Sequence, residues 1–301
     1  MCGFIGILKA PLVVNELYDG LIAIQHRGQD AAGILTCDAR GVFHSHKAGG
    51  LVRDIFQPEH VARLVGDMGI GHVRYPTVGA GGPEDAQPFV SHHPFGIAMA
   101  HNGNVTNYDP MAKELRDQQH VHLESSCDVE IILHVLAGAL QRRTSNGFTV
   151  EAFQQAVGEV FDRVKGAYSV VGLIAGHGLF AFRDPLGIKP ILMGSRPADD
   201  GGTAWCAASE SVVLDILGFN QRHDVGPGEV MFVDLAGNLT RKKIAGTRHT
   251  PCVFEHVYFA RPDSFLDDVS VYKARRRLGE TLADRVREKG WEVDVIIPIP
   301  E

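Results

Sequence analysis

Short apolar runs broken by glycine recur along the first third of the chain. Their spacing predicts strands over 3–8, 33–37, 70–73 and 97–101, with an amphipathic helix over 14–25 between the first two. The apolar positions then switch to helical spacing. Helices are expected over 128–140 and 151–165, the second with Phe153, Val157, Val160, Phe161 and Val164 on one face and Glu151, Asp162 and Lys165 on the other. Strand-like runs return at 167–174, 179–182, 203–208 and 229–233. The last is entered through Gly226-Pro227-Gly228 and left through Gly237-Asn238, both turn-forming sets. Strands, then helices, then strands imply an α+β fold of stacked antiparallel sheets covered by helices.

The pattern changes near residue 240. Arg241-Lys242-Lys243 and a turn-rich stretch over 246–251 read as a linker, and 272–289 as a charged helix carrying Arg275, Arg276 and Arg277. The run over 293–298 is almost uninterruptedly apolar, as in a parallel strand buried on both faces. This is the start of an α/β domain, and one that needs more strands and helices than the chain supplies. The expected division is 2–240 and 241–301, the second domain incomplete.

With 301 residues, 45% apolar and 22% charged, the chain has the make-up of a globular protein with a sizeable core. A net charge of −7 without a basic block gives no case for nucleic-acid binding. Cys2, Cys37, Cys127, Cys206 and Cys252 are odd in number, scattered and without a CxxC pair, which argues for reduced thiols rather than disulfides or zinc. The first residues lack a secretory signal and no apolar stretch would span a bilayer, so a cytoplasmic location away from membranes is expected.

Candidate chemistry begins at the second residue. Cysteine followed by Gly3 favours removal of Met1, which leaves a thiol and a free α-amine on one residue. Their ordinary pKa values lie near 8.5 and 8, so the amine can take the thiol proton at neutral pH. Many proteins begin Met-Cys, so the start alone decides nothing. The company does: Met1-Cys2-Gly3-Phe4-Ile5-Gly6-Ile7 is followed by His26-Arg27-Gly28-Gln29-Asp30-Ala31-Ala32-Gly33-Ile34, by His72-Val73-Arg74-Tyr75-Pro76-Thr77-Val78-Gly79, and by Ala100-His101-Asn102-Gly103-Asn104. Ser125-Ser126-Cys127-Asp128, Arg183-Asp184-Pro185-Leu186-Gly187-Ile188-Lys189-Pro190 and Ala208-Ser209-Glu210-Ser211 extend the series. In order and spacing it resembles the class II, N-terminal-nucleophile glutamine amidotransferases.

The resemblance implies a four-layer αββα sandwich and a Cys2 that attacks the side-chain amide of glutamine. Asn102 and Gly103 then stand where two oxyanion donors belong. Arg74, Asp128 and Thr77 match the glutamine-binding positions, Arg74 as a fork for the α-carboxylate. Asp128 either accepts the α-ammonium or complements the dipole of the helix it starts. Arg27, Asp30 and Tyr75 are expected to line or brace the pocket. Gly79-Ala80-Gly81-Gly82-Pro83 is flexible enough to close over substrate, although an ordinary surface loop reads the same. The 183–190 motif is expected to be a turn-rich structural element beneath the site. His44, His46, His92, His93, His120 and His122 lack the acidic or cysteine partners of a metal site, so no metal is assigned and solvated histidines are expected.

Three tail segments, 255–264, 271–275 and 295–301, resemble the branch of the family that carries a type I phosphoribosyltransferase domain. In that branch ammonia displaces pyrophosphate from phosphoribosyl pyrophosphate (PRPP), bound with Mg2+, to give 5-phosphoribosylamine at the first step of purine synthesis. A homotetramer inhibited by purine nucleotides is implied as well. The paired acidic residues and Gly/Thr loop that would hold PRPP and Mg2+ are absent, so glutamine hydrolysis is the activity expected of this chain alone. Some members carry a propeptide and an iron–sulfur cluster, and Cys252 falls where one ligand would lie. No propeptide precedes Cys2 and the other ligands would lie past Glu301, so the cluster-free subgroup and a buried, inert Cys252 are expected. Two alternatives stand beside this reading: a non-catalytic regulatory module, and another acceptor such as fructose 6-phosphate or aspartate, which the 259–264 segment opposes.

Overall fold

The computed structural model describes residues 2–75, 83–246 and 248–297. Chain order begins β1 (Gly3–Leu8), α1 (Val13–Ala23), β2 (Ala31–Cys37), β3 (Phe43–Gly49), α2 (Val52–Ile55), α3 (Pro58–Val61), β4 (Met68–Arg74), β5 (Phe89–Ser91) and β6 (Ile97–Val105). Three helices follow, α4 (Tyr108–Gln119), α5 (Val129–Arg143) and α6 (Val150–Arg163), then β7 (Gly166–Ile174), β8 (Gly178–Arg183), β9 (Leu192–Pro197) and β10 (Thr203–Ala208). The remainder is α7 (Ser211–Ile216), β11 (Gln221–Asp224), β12 (Glu229–Asp234), β13 (Leu239–Lys243), the small hairpin β14 (Phe265–Leu266) and β15 (Val269–Ser270), and α8 (Val271–Glu288).

Two antiparallel sheets result, ordered β11-β9-β10-β1-β4-β2-β3 and β13-β12-β8-β7-β6-β5. Three apolar clusters separate four layers. One lies between the sheets and holds Phe4, Leu8, Ile70, Ala98, Ala100, Val171 and Ala181. A second packs α1 and α7 on the outside of the first sheet, and a third packs α4, α5 and α6 on the outside of the second. The α+β sandwich is therefore the αββα arrangement that the resemblance implies.

Strand parity explains where the functional side chains go. Along β1, Phe4 and Leu8 enter the core between the sheets, while Ile5 and Ile7 face α1. With a side-chain period of two, Cys2 continues the inward stripe. Ala98 and Ala100 of β6 face the same core, and Ile97 and Met99 face the helices, so Asn102 also points between the sheets. Met68 and Ile70 of β4 set the same parity for His72 and Arg74. Three strands thus run an apolar stripe inward and end it in polar residues. Gly6 sits in that seam because a Cβ there would lie 2.6 Å from Val171 Cγ2.

Several differences from the sequence reading have physical causes. β3, β11 and β13 lie at sheet edges, half wet, and their polar composition hides them. Arg241-Lys242-Lys243, read as the start of a linker, belongs to β13 and pairs with β12. No strand forms over 293–297, where Val295, Ile296 and Ile297 are mostly exposed. A buried parallel strand needs neighbours on both sides, and the described residues place none there. Pro298, the last residue of that expected strand, lies outside the described residues.

Burial of His72 gives the fold an acid sensitivity. Removal from water, reinforced by the neighbouring His101 and Arg74, pushes its pKa down from 6.5 to about 3, against a hydrogen bond to His101 O. Below pH 6.5 the unfolded chain takes up a proton that the folded chain refuses, so stability rises with pH across the window from about 3 to 6.5 and is lost on acidification. The expected slope from this group is at most about 1.4 kcal/mol per pH unit. Urea midpoints at pH 7 and pH 5 should show it, and a His72→Asn chain should lose that part of the slope; an equal slope in both chains refutes the assignment.

Candidate active site

At one end of the sandwich, the start of β1, the end of β4 and the start of β2 come together, since Gly3 pairs with Val73 and Ala31 with Arg74. Asn102 and Gly103 of β6 face them from the second sheet. Cys2 is half-buried, and its backbone nitrogen donates to Asn102 Oδ1 at 3.2 Å. Asn102 is buried and its Nδ2 has no hydrogen-bond partner among the described residues. An amide donor left unsatisfied beside a thiol is an expensive arrangement, because an unpaired buried donor costs about 1–3 kcal/mol. An oxyanion arriving next to Cys2 would satisfy it. Gly103 is fixed by close approach: a Cβ there would lie 2.0 Å from Ala167 O of β7.

The thiol is not stored as thiolate. Burial pushes the Cys2 pKa up, and Asp128 adds to the rise, while the contact to Tyr75 O at 3.6 Å, the chain's amino terminus and Arg74 offset it only in part. Attack therefore requires a base in the same step. Once Met1 is removed, the nitrogen held by Asn102 becomes an α-amine on the same residue as the thiol. Cys127, in contrast, is buried and its thiol is pushed up by desolvation and by Asp128, an inert environment.

Arg74 is buried and its Nη2 lies 3.1 Å from the buried Asp85, which also accepts from the backbone and hydroxyl of Ser126. Asp85 thus orients one edge of the guanidinium. Asp128 stands at the N-cap of α5 but makes no side-chain cap bond. Its Oδ2 accepts from Val105 N at 2.7 Å and its Oδ1 lies 3.2 Å from His101 Nε2. Burial opposes ionisation of Asp128, but His101 and the Val105 N–H outweigh it and hold the carboxyl below its ordinary range. The result is a buried carboxylate within the Coulomb field of Cys2.

Arg27 Nε donates to Cys2 O at 2.9 Å, which fixes the Cys2 backbone. Arg27 and Tyr75 line a cavity of about 400 Å³, together with His26, Gly28, Gln29, Asp30, Tyr258 and Phe259. Asp30 is exposed, and its brace is backbone: its N–H donates to Arg74 O. Gly28 is required there, since a Cβ would fall 2.5 Å from the Arg74 backbone. Thr77 and the 79–82 part of the expected closing loop lie outside the described residues.

The 183–190 motif is structural, as its turn chemistry suggests. Asp184 accepts from the backbone N–H groups of Tyr168, Leu186 and Ile188, and Arg183 is buried against Asp267. Cys252 departs from expectation: it is half-buried, with Lys189 Nζ 3.7 Å from its sulfur. His44, expected to be solvated, is half-buried and lies 3.3 Å from Asp38; His46 is also half-buried and stacks on His60 with centroids 3.8 Å apart. Among the described residues no group of three or more His, Cys, Asp or Glu is arranged to hold a metal. Sequence reasoning missed Asp85, His101, Glu210 and Glu255. Of these His101, Glu210 and Glu255 sit inside quoted motifs, but no sequence spacing says which charge they meet.

Residues 77–215 match the glutamine amidotransferase domain model. Over its whole length the chain is 48% identical to an amidophosphoribosyltransferase of Pseudomonas aeruginosa and 45% to that of Escherichia coli. The chain is similar to the amidophosphoribosyltransferases. It spans about 60% of the length of those relatives. A glutamine PRPP amidotransferase of B. subtilis, solved with ADP and GMP, superposes with a TM-score of 0.80 at 31% identity, over 94% of this chain and 58% of that one. No helix among the described residues is long and apolar enough to cross a membrane.

Proposed function

We propose that this chain hydrolyses glutamine through Cys2 and supplies the ammonia-producing half of an amidophosphoribosyltransferase. The observation that carries the reading is the Asn102 side chain, with Oδ1 on the Cys2 nitrogen at 3.2 Å and a buried Nδ2 that has no partner among the described residues. The thiol adds to the glutamine Cδ while its proton passes to the Cys2 amine. Asn102 Nδ2 and the Gly103 N–H receive the negative oxygen. Collapse expels ammonia with the proton returned, leaving a thioester that water cleaves to glutamate and free thiol. Arg74, oriented by Asp85, takes the α-carboxylate, Asp128 the α-ammonium, and Thr77 is assigned to substrate by its motif alone.

In the whole protein the ammonia passes to PRPP, giving 5-phosphoribosylamine for purine synthesis in the cytoplasm. Purine nucleotides are the proposed feedback ligands, a reading supported by the ADP and GMP bound to the B. subtilis relative, and a homotetramer is the proposed assembly. The family's Mg2+ belongs with PRPP. The described residues offer no donor set for it, so no step is routed through a metal. The two-part division near residue 240 accompanies this reading.

Incubation of the folded chain with an electrophilic glutamine analogue, followed by peptide mass spectrometry, tests the proposal. One adduct on Cys2, in molecules lacking Met1, is expected, with free glutamine protecting. Absence of that adduct in folded, Met1-free protein overturns it.

A further inference from the structure

Glu210 is fully buried at the N-cap of α7, yet makes no cap bond to that helix. Its carboxylate is spent elsewhere. Oε1 accepts from Arg27 Nη1 at 2.6 Å and lies 2.9 Å from His26 Nε2; Oε2 accepts from Arg261 N at 2.9 Å and from Ser264 Oγ at 2.8 Å. Arg27 in turn uses every nitrogen: Nη2 donates to Glu255 Oε1 at 3.0 Å and Nε to Cys2 O at 2.9 Å. Desolvation works against the Glu210 charge, but Arg27 and His26 prevail and hold its pKa down at about 2. Lys189, 3.9 Å from Glu255, brings the cations to two against two carboxylates, so the cluster is close to neutral.

We propose that Glu210 is a positioning residue for the Cys2 nucleophile, acting through Arg27. Two carboxylates grip the guanidinium along separate edges, and together they fix its plane. Nε can then meet Cys2 O from only one direction, which sets where the Cys2 nitrogen and sulfur stand relative to Asn102. With Glu210 neutral, Nη1 loses its ionic partner and the guanidinium pivots on Glu255 alone. Arg261 N and Ser264 Oγ hold the far oxygen, so the carboxylate cannot follow.

This inference rests on Cys2 being the nucleophile, and the test separates the two. Glutamine hydrolysis by the Met1-free 301-residue chain is compared with that of Glu210→Gln, and Cys2 alkylation by the glutamine analogue is followed in parallel. Glu210→Gln should lower kcat by about tenfold to hundredfold, the range expected when a reacting group is misplaced by about 1 Å, with KM within about twofold. Glu159→Gln, which loosens the surface cluster with Arg142, Arg143 and Arg163, serves as a destabilised control that should keep kcat. If Glu210→Gln does not fold, Glu210→Asp, which keeps the charge but is one methylene too short to hold both sides, should show the same split. A wild-type chain that is not alkylated at Cys2 overturns the function and this inference with it. A reactive wild type with kcat unchanged in the Glu210 variant, or with a fall matched by Glu159→Gln, overturns the positioning role alone.

Discussion

Asn102→Ala is expected to lower kcat for glutamine hydrolysis by about 100-fold to 1,000-fold, the effect of deleting one oxyanion donor in other hydrolases. The size follows from what the side chain does on both its ends. Nδ2 is buried and has no partner among the described residues, so its desolvation is already complete before substrate arrives and no reorganisation is needed when the oxygen becomes negative. Oδ1 meanwhile orients the Cys2 nitrogen. Asn102→Asp separates the two: it keeps the acceptor for the amine, deletes the donor and sets a negative charge against the oxyanion. That variant should fall at least as far as Asn102→Ala, with KM for glutamine little changed because the donor acts on charge that develops after binding. Steady-state kinetics on chains shown to melt normally would decide, and a loss under about tenfold for Asn102→Asp would remove Asn102 from the oxyanion role.

What could be read in the sequence was whatever strand parity and local chemistry carry. β1 spans Gly3–Leu8, as its short apolar run predicts, because both of its faces are buried. Cys2, Arg74 and Asn102 were found through motifs, and parity accounts for why they converge: each ends an inward stripe on a different strand. Edge strands were hidden for the opposite reason. β3 reads Phe-His-Ser-His-Lys-Ala-Gly, half-wet residues whose strand state is imposed by pairing with β2 rather than by their own pattern. α4 was missed although Met111, Ala112 and Leu115 do bury one face, since that face is narrow and the rest of the helix is polar.

The supports of the site were hidden in another way. Arg27 and Glu210 are 183 positions apart, and Arg27 and Glu255 228 apart. No periodicity links residues so distant; only the folded sheets place them within a hydrogen bond of each other. Arg74 and Asp85 are only 11 positions apart, but they belong to different local structures, so no shared periodicity links them either. Asp128 shows the limit of local inference from the other side. Its position at a helix start suits a cap, but its Oδ2 takes the backbone N–H of Val105 in β6 and its Oδ1 lies beside the buried His101 ring.

Retention of Met1 is expected to abolish glutamine hydrolysis, by about 1,000-fold or more, while leaving the fold intact. The Cys2 nitrogen stays a peptide amide, which donates to Asn102 Oδ1 but cannot accept a proton, so the base is gone; general-base catalysis alone accounts for about 100-fold to 10,000-fold. Without it the thiol is a poor nucleophile at neutral pH, since burial holds its pKa above the ordinary value. Chain made with methionine aminopeptidase inhibited, and separated by intact mass, should melt like the processed form yet show neither turnover nor analogue adduct. Trimming the same sample with the aminopeptidase should restore both. Recovery of activity on trimming ties catalysis to the freed amine; equal activity before and after would assign the base to another group and leave Cys2 as nucleophile only.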